Sequence, residues 1–117
     1  MDKKSVGMVG ENYAAQYLIS REYTIINRNW TCRWGEIDII AQKDEKLVFV
    51  EVKYRTSDKF GKPVQAVTAK KLKSLKNSIW RYLLIYEQFH RECRLDVVSI
   101  YPKKGKYRLK HYKSVTF

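Results

Sequence analysis

The chain has 117 residues, 44% hydrophobic and 31% charged, with 24 Lys and Arg against 12 Asp and Glu. That balance excludes a disordered chain and fits one domain, 1–117, with a core of its own. A net charge of +12 makes polyanions the expected partners, nucleic acid ahead of an anionic membrane surface; the bland alternative is charge serving only solubility.

Chain order gives the expected elements. The segment from Ser5 to Tyr23, SVGMVGENYAAQYLISREY, reads as a helix with Ser5 as N-cap and Met8, Ala15, Leu18 and Ile19 on one apolar stripe. YTIINRNWTCR alternates and is rich in β-formers, so it reads as one strand, bent or straight, ended by Trp34-Gly35. GEIDIIAQ and KLVFVEVK read as two strands around the polar turn Lys43-Asp44-Glu45-Lys46. The polar stretch YRTSDKFGKP is a loop punctuated by Gly61 and Pro63. Leu72, Leu75, Ile79, Tyr82, Leu83 and Tyr86 recur at helical spacing, with Thr68 as N-cap and an end near Gln88. RLDVVSIY is a strand, KKGKY a turn, and YRLKHYK a last strand whose Lys and Arg suit a sheet edge.

The fold class expected is α/β, in the order α-β-β-β-α-β-β. Strand 47–53 sets Leu47 and Phe49 on one face and Val48, Val50 and Val52 on the other. In strand 36–42, Ile37, Ile39 and Ala41 oppose Asp38 and Ile40. With both faces apolar, the sheet should be flanked by helices.

Cys32 and Cys93 lack a CxxC partner, and His90 and His111 complete no zinc pattern, so both cysteines are expected as thiols. MDKKSVGMVGEN carries no apolar signal region and no run approaches a membrane span, so a cytoplasmic location without membrane contact is expected.

The chemistry concentrates at the far end of the hairpin. A turn symmetric about Asp44–Glu45 makes Asp38 oppose Glu51 and Glu36 oppose Lys53, with all four charges on one face. Opposed carboxylates at ~5 Å repel by about 3 kcal/mol at an effective dielectric near 20. Two arrangements relieve this. One is a salt-bridged strand end, Lys53 pairing Glu36 and Asp38 facing water. The other is a hard divalent cation, Mg²⁺ above all, held between the carboxylates, with Lys53 beside it to orient water or steady a phosphate. Glu11 lies in line with Ala15 and Leu18 on the inward stripe of the first helix, where a carboxylate needs a partner; its place near the helix N-terminus offers a dipole instead.

Asp38 followed by Glu51-Val52-Lys53 resembles the PD-(D/E)xK nuclease motif, with Ile37 where that motif carries proline. Gly10-Glu11, Arg28-Asn29-Trp30, GEIDIIA (35–41), LVFVEVKYR (47–55), FGKPVQAV (60–67), a lysine-rich helix and RLDVVSI (94–100) accompany it in order. Together they resemble the YraN-like family of predicted endonucleases over nearly the whole chain. The resemblance implies a restriction-endonuclease-like fold related to Holliday-junction resolvases. It implies that Asp38, Glu51 and the Val52 carbonyl bind Mg²⁺, for which Mn²⁺ would substitute. Glu11 would complete the shell, directly or through water, and Lys53 would position or activate the attacking water. Resolvase-like proteins usually act as dimers, so a homodimer is an expectation from the resemblance alone.

Nucleic-acid contacts are expected from Arg55, just past the motif, and from Lys70, Lys71, Lys73 and Lys76 on the second helix. Trp30, Trp34 and Tyr54 suit either base stacking or core packing, Trp80 packing, and Asp96 a structural pair with a basic neighbour. Three functions fit these residues: a Mg²⁺-dependent endonuclease acting on DNA, branched or linear; a nucleic-acid-binding module with a vestigial metal site; and a partner that presents its basic face to an acidic protein.

Overall fold

The computed structural model describes residues 3–55 and 68–115. Gly61, Pro63 and most of the loop expected after Arg55 fall outside the described residues. The elements run α1 (Lys3–Ser20), β1 (Thr24–Cys32), β2 (Gly35–Lys43), β3 (Lys46–Tyr54), α2 (Ala69–Ile85), β4 (Cys93–Lys103) and β5 (Lys106–Tyr112). The five strands form one sheet in sequence order, with β3 and β4 parallel and every other pair antiparallel. This is the mixed, helix-flanked α/β sheet in the element order α-β-β-β-α-β-β expected from the sequence.

Two cores sandwich the sheet. On one face Ala14, Ala15 and Leu18 of α1 pack on Ile39, Ala41, Val48, Val50, Val98 and Ile100. On the other, Leu75, Ile79, Tyr82 and Leu83 of α2 pack on Ile40, Leu47, Phe49, Leu95 and Val97. The hairpin turn places Asp44 (φ 49°) and Glu45 (φ 67°) in left-handed conformations, as a two-residue hairpin turn requires. The register from Lys43↔Lys46 to Ile39↔Val50 is the one a turn centred there dictates. Thr68 caps α2, its hydroxyl accepting from Lys71 N–H at 3.1 Å.

Several expectations are corrected. Ser5 lies inside α1, which begins at Lys3. Met8 (55% exposed) and Ile19 (50%) are outside the core; α1 instead approaches the sheet through the small residues Gly10, Ala14 and Ala15. Ile37 packs with Ile40 and Phe49 rather than with Ile39, because β2 leaves the β3 ladder beyond Ile39 and turns. Trp80 is 63% exposed, with the Phe89 ring 4.8 Å from its own. Trp30 meets Tyr82 edge-on at 5.4 Å, so it is a packing residue.

Gly35 opens β2 at φ +146°, and a Cβ there would lie 2.7 Å from Ser74 Oγ. Ser74 Oγ donates to the Trp34 carbonyl at 2.5 Å, tying α2 to the start of the strand that carries Glu36 and Asp38. Cys32 and Cys93 are free thiols. No described helix is long and apolar enough to cross a membrane.

Asp96 is fully buried and multiply bonded, as a structural carboxylate must be. It accepts from Arg94 Nε at 3.0 Å and Ser114 N–H at 2.9 Å, and His111 Nε2 lies 2.7 Å away. Burial alone would raise its carboxyl; the bonds from His111, Ser114 and Arg94 outweigh burial and hold it below the usual range. Its contribution to stability is therefore complete above the unfolded value of ~3.9 and is lost as pH falls through the lower folded value. Asp96→Asn should cost about 3–5 kcal/mol at pH 7 by stranding Arg94. Urea unfolding from pH 7 to pH 2 should show that difference shrinking below pH ~4; a pH-independent difference would contradict the assignment.

Candidate functional site

The site forms where two strands part. The β2–β3 ladder ends at Ile39↔Val50, while β2 stays paired to β1 as far as Gly35 and β3 to β4 as far as Tyr54. Each strand keeps one neighbour, so the sheet is forked without being broken. At the fork, Asp38 Oδ2 accepts from Val52 N–H at 2.8 Å, taking the place of a ladder carbonyl. The expected facing pairs Asp38–Glu51 and Glu36–Lys53 are both absent from the ladder for the same reason.

Asp38 is half-buried at this point, and carboxylates gather around it. Oxygens of Glu11, Glu36 and Asp38 all lie within 4.8 Å of one another. Glu11 reaches the cluster from α1, on the sequence stripe it shares with Ala15 and Leu18. Asn29, held at φ 53° in β1, bonds to Glu11, and Arg28 donates to Asn12 Oδ1 at 2.8 Å. Burial and the charges of Asp38 and Glu36 raise the Glu11 carboxyl, opposed by the Asn29 bond and by Arg28.

Glu51 lies on the other flank of Asp38. It is only 4% exposed. Burial, the Asp38 charge and a hydrogen bond shared with Asp38 push its carboxyl up to about 8, against the pull of Lys71 and Lys53. Lys71 Nζ stands 3.5 Å from Glu51 Oε2, close enough for charge pairing, yet that buried oxygen has no hydrogen bond among the described residues.

The structure thus brings Glu11, Asp38, Glu51 and Lys53 to one end of the sheet, with the Val52 amide bound to Asp38. Of the expected nucleic-acid contacts, Lys70, Lys73 and Lys76 are exposed on α2. Lys71 differs: it turns inward to Glu51 instead of joining the solvated face, because a buried carboxylate one strand away attracts it. Arg55 continues β3, its N–H donating to the Ile100 carbonyl at 2.8 Å. Glu36 and Asn29 are the members that sequence reasoning left out of the site. The parity of Glu36 with Asp38 signalled its approach; no sequence pattern announced the left-handed turn at Asn29. A cleft of about 620 Å³ lined by Asp44, Glu45, His90 and Arg91 lies at the opposite end of the hairpin and holds none of these groups.

The donor set suits a hard divalent cation. It consists of carboxylate oxygens, three of them already mutually within one ion's reach, and a buried orphan oxygen on Glu51. Glu11, Glu36 and Asp38 are the side chains whose oxygens already lie within one ion's reach, and Glu51 adjoins them through Asp38.

Fold and site together define a small α/β protein with an acidic centre at a forked sheet. The chain belongs to the family described as Uncharacterised protein family UPF0102, whose model matches residues 10–100. It is 44% identical to a UPF0102 protein of Syntrophomonas wolfei, covering 92% of this chain and 94% of that one. To the UPF0102 protein of Carboxydothermus hydrogenoformans it is 39% identical over 98% of each chain. Among solved structures, a repair endonuclease from Pyrococcus abyssi aligns at TM-score 0.44 and 20% identity, over 90% of this chain and 41% of its own. SfsA from Pyrococcus furiosus, in complex with Ca²⁺, aligns at TM-score 0.40 and 11% identity, over 96% and 64%.

The raised Glu51 carboxyl has a measurable consequence. A group whose folded value lies above its ordinary 4.5 stabilises fully below that value and loses the contribution as pH rises through about 8. Glu51→Gln carries no charge to desolvate. In metal-free buffer its melting temperature should gain on the wild type from pH 5 up to about pH 8 and level off above it; a difference flat across that range, or of opposite slope, would contradict the assignment.

Proposed function

We propose that this protein is a Mg²⁺-dependent endonuclease hydrolysing phosphodiester bonds in DNA. The observation that carries the reading is the convergence of Glu11, Glu36, Asp38 and Glu51 at the fork, with Lys53 and Lys71 alongside, in a chain of net charge +12. Repelling carboxylates persist in such a place when a cation belongs between them.

In this reading Glu11, Asp38 and Glu51 hold the ion, and Glu36 adds a nearby acidic oxygen. Bound there, Mg²⁺ would polarise a nonbridging phosphate oxygen and stabilise the leaving oxygen. The residues of the chain do the rest. The Val52 amide fixes the Asp38 carboxylate. Lys53 holds the attacking water in line and favours its deprotonation. Lys71 offsets the Glu51 charge in the ion-free protein and gives up that place when the ion binds. The lysines of α2 and Arg55 bind flanking phosphates, so affinity falls with salt.

The test is a cleavage screen of linear duplex, forked, four-way-junction and single-stranded DNA, with Mg²⁺, Mn²⁺ or EDTA. Cutting should require either metal. It should fall by about 100-fold or more in Asp38→Asn, Glu51→Gln and Lys53→Ala. Binding without cutting on every substrate would instead make the chain a nucleic-acid-binding module.

A further inference from the structure

Three tyrosines from three elements meet on the α1 side of the sheet, next to the fork. Tyr13 comes from α1, Tyr54 from the end of β3 and Tyr107 from β5. The Tyr107 ring lies 6.3 Å from that of Tyr13 and 5.9 Å from that of Tyr54, at interplanar angles of 57° and 59°. The Tyr54 hydroxyl donates to the Tyr107 hydroxyl at 3.2 Å. Tyr54 directly follows Lys53, and its ring fills the space beside Gly10, the residue before Glu11. A Cβ on Gly10 would stand 3.2 Å from Tyr54 Cδ2, so glycine lets this ring lie close against α1.

A purely structural staple does not account for the cluster. Tyr13 is 42% exposed and Tyr107 45%. The hydroxyl bond that joins Tyr54 to Tyr107 is itself exposed, where it adds little stability. The rings are tilted and not stacked on one another, and Tyr13 and Tyr107 keep much of their surface in solvent while Tyr54 lies against Gly10, so the two exposed rings can receive a planar ligand. Charge complements them: the β4–β5 hairpin that carries Tyr107 also exposes Lys103, Lys104, Lys106 and Arg108. Open aromatic faces beside a basic rim are what a nucleic-acid strand with unstacked bases requires.

We infer that Tyr13, Tyr54 and Tyr107 form a stacking platform for unpaired bases of the DNA strand that enters the acidic fork. A base inside a duplex has both faces covered by its neighbours, so the platform selects DNA with a single-stranded segment beside the cut: a fork, a flap or an opened junction. Stacking tolerates any base, so this selects structure and not sequence. The inference rests on the nuclease reading for the strand's destination; base binding on the tyrosines is measurable without it.

The experiment is equilibrium binding in EDTA of two labelled probes: a forked duplex with 2-aminopurine in its single-stranded arm, and a fully paired duplex of equal length. The wild type should bind the fork about ten-fold more tightly, the scale of one stacked base, and quench the 2-aminopurine. Tyr107→Ala and Tyr13→Ala should each lower fork affinity toward the duplex value, and Tyr107→Phe should retain the preference. Equal affinities in the wild type, no binding of either probe, or an intact preference in both alanine variants would overturn the platform. Tyrosine-dependent fork binding with no cleavage under Mg²⁺ or Mn²⁺ would uphold the platform and overturn the nuclease reading. Cleavage of both DNAs without preference would do the reverse.

Discussion

The hydrogen bond from Val52 N–H to the Asp38 carboxylate organises this end of the molecule. Two antiparallel strands that separate leave unpaired amides, and a buried unpaired amide is costly. Here a side chain replaces the missing carbonyl. The strands can then diverge while β1 and β4 keep each of them in the sheet, and Asp38 is immobilised between Glu11 on one flank and Glu51 on the other.

The electrostatics are unusual for so basic a chain. Three of the 12 acidic residues gather at one point and Glu51 adjoins them, so a cluster of carboxylates sits on a chain of net charge +12. A phosphate is attracted by the protein as a whole and repelled by this spot, unless a cation occupies it. Burial first, and then the Asp38 charge and the bond with Asp38, push the Glu51 carboxyl up to about 8, while Lys71 pulls the other way. The apoprotein resolves its own repulsion with a proton and a lysine. A divalent ion would do so with a ligand that also serves phosphate chemistry.

Much of this was legible in the sequence because local rules were strict. The turn at Asp44–Glu45 set the register down to Ile39↔Val50, one step short of Asp38 and Glu51, which meet through their side chains where the ladder has ended, and the two-faced apolar pattern of β3 required a helix on each side. Thr68 announced α2 through its capping chemistry. Where the reading departed, tertiary context had taken over. Alternation along β2 fails at Ile37 because the ladder that enforces it stops at Ile39. Met8 and Ile19 looked like core by hydropathy, yet close approach of α1 selects small side chains. Lys71 looked like its solvated neighbours until the fold set a buried carboxylate opposite it. The Tyr13–Tyr54–Tyr107 cluster joins residues far apart in the chain, so no local pattern could display it.

The central claim is that these carboxylates share one divalent ion. A crystal of the wild-type protein soaked in Mn²⁺, with data collected at the manganese edge, tests it directly. The account predicts an anomalous peak within bonding distance of oxygens from Asp38 and Glu51, joined by Glu11 or Glu36, with Lys71 displaced from Glu51. A map with no peak at the fork, and Lys71 still resting on Glu51, would contradict it.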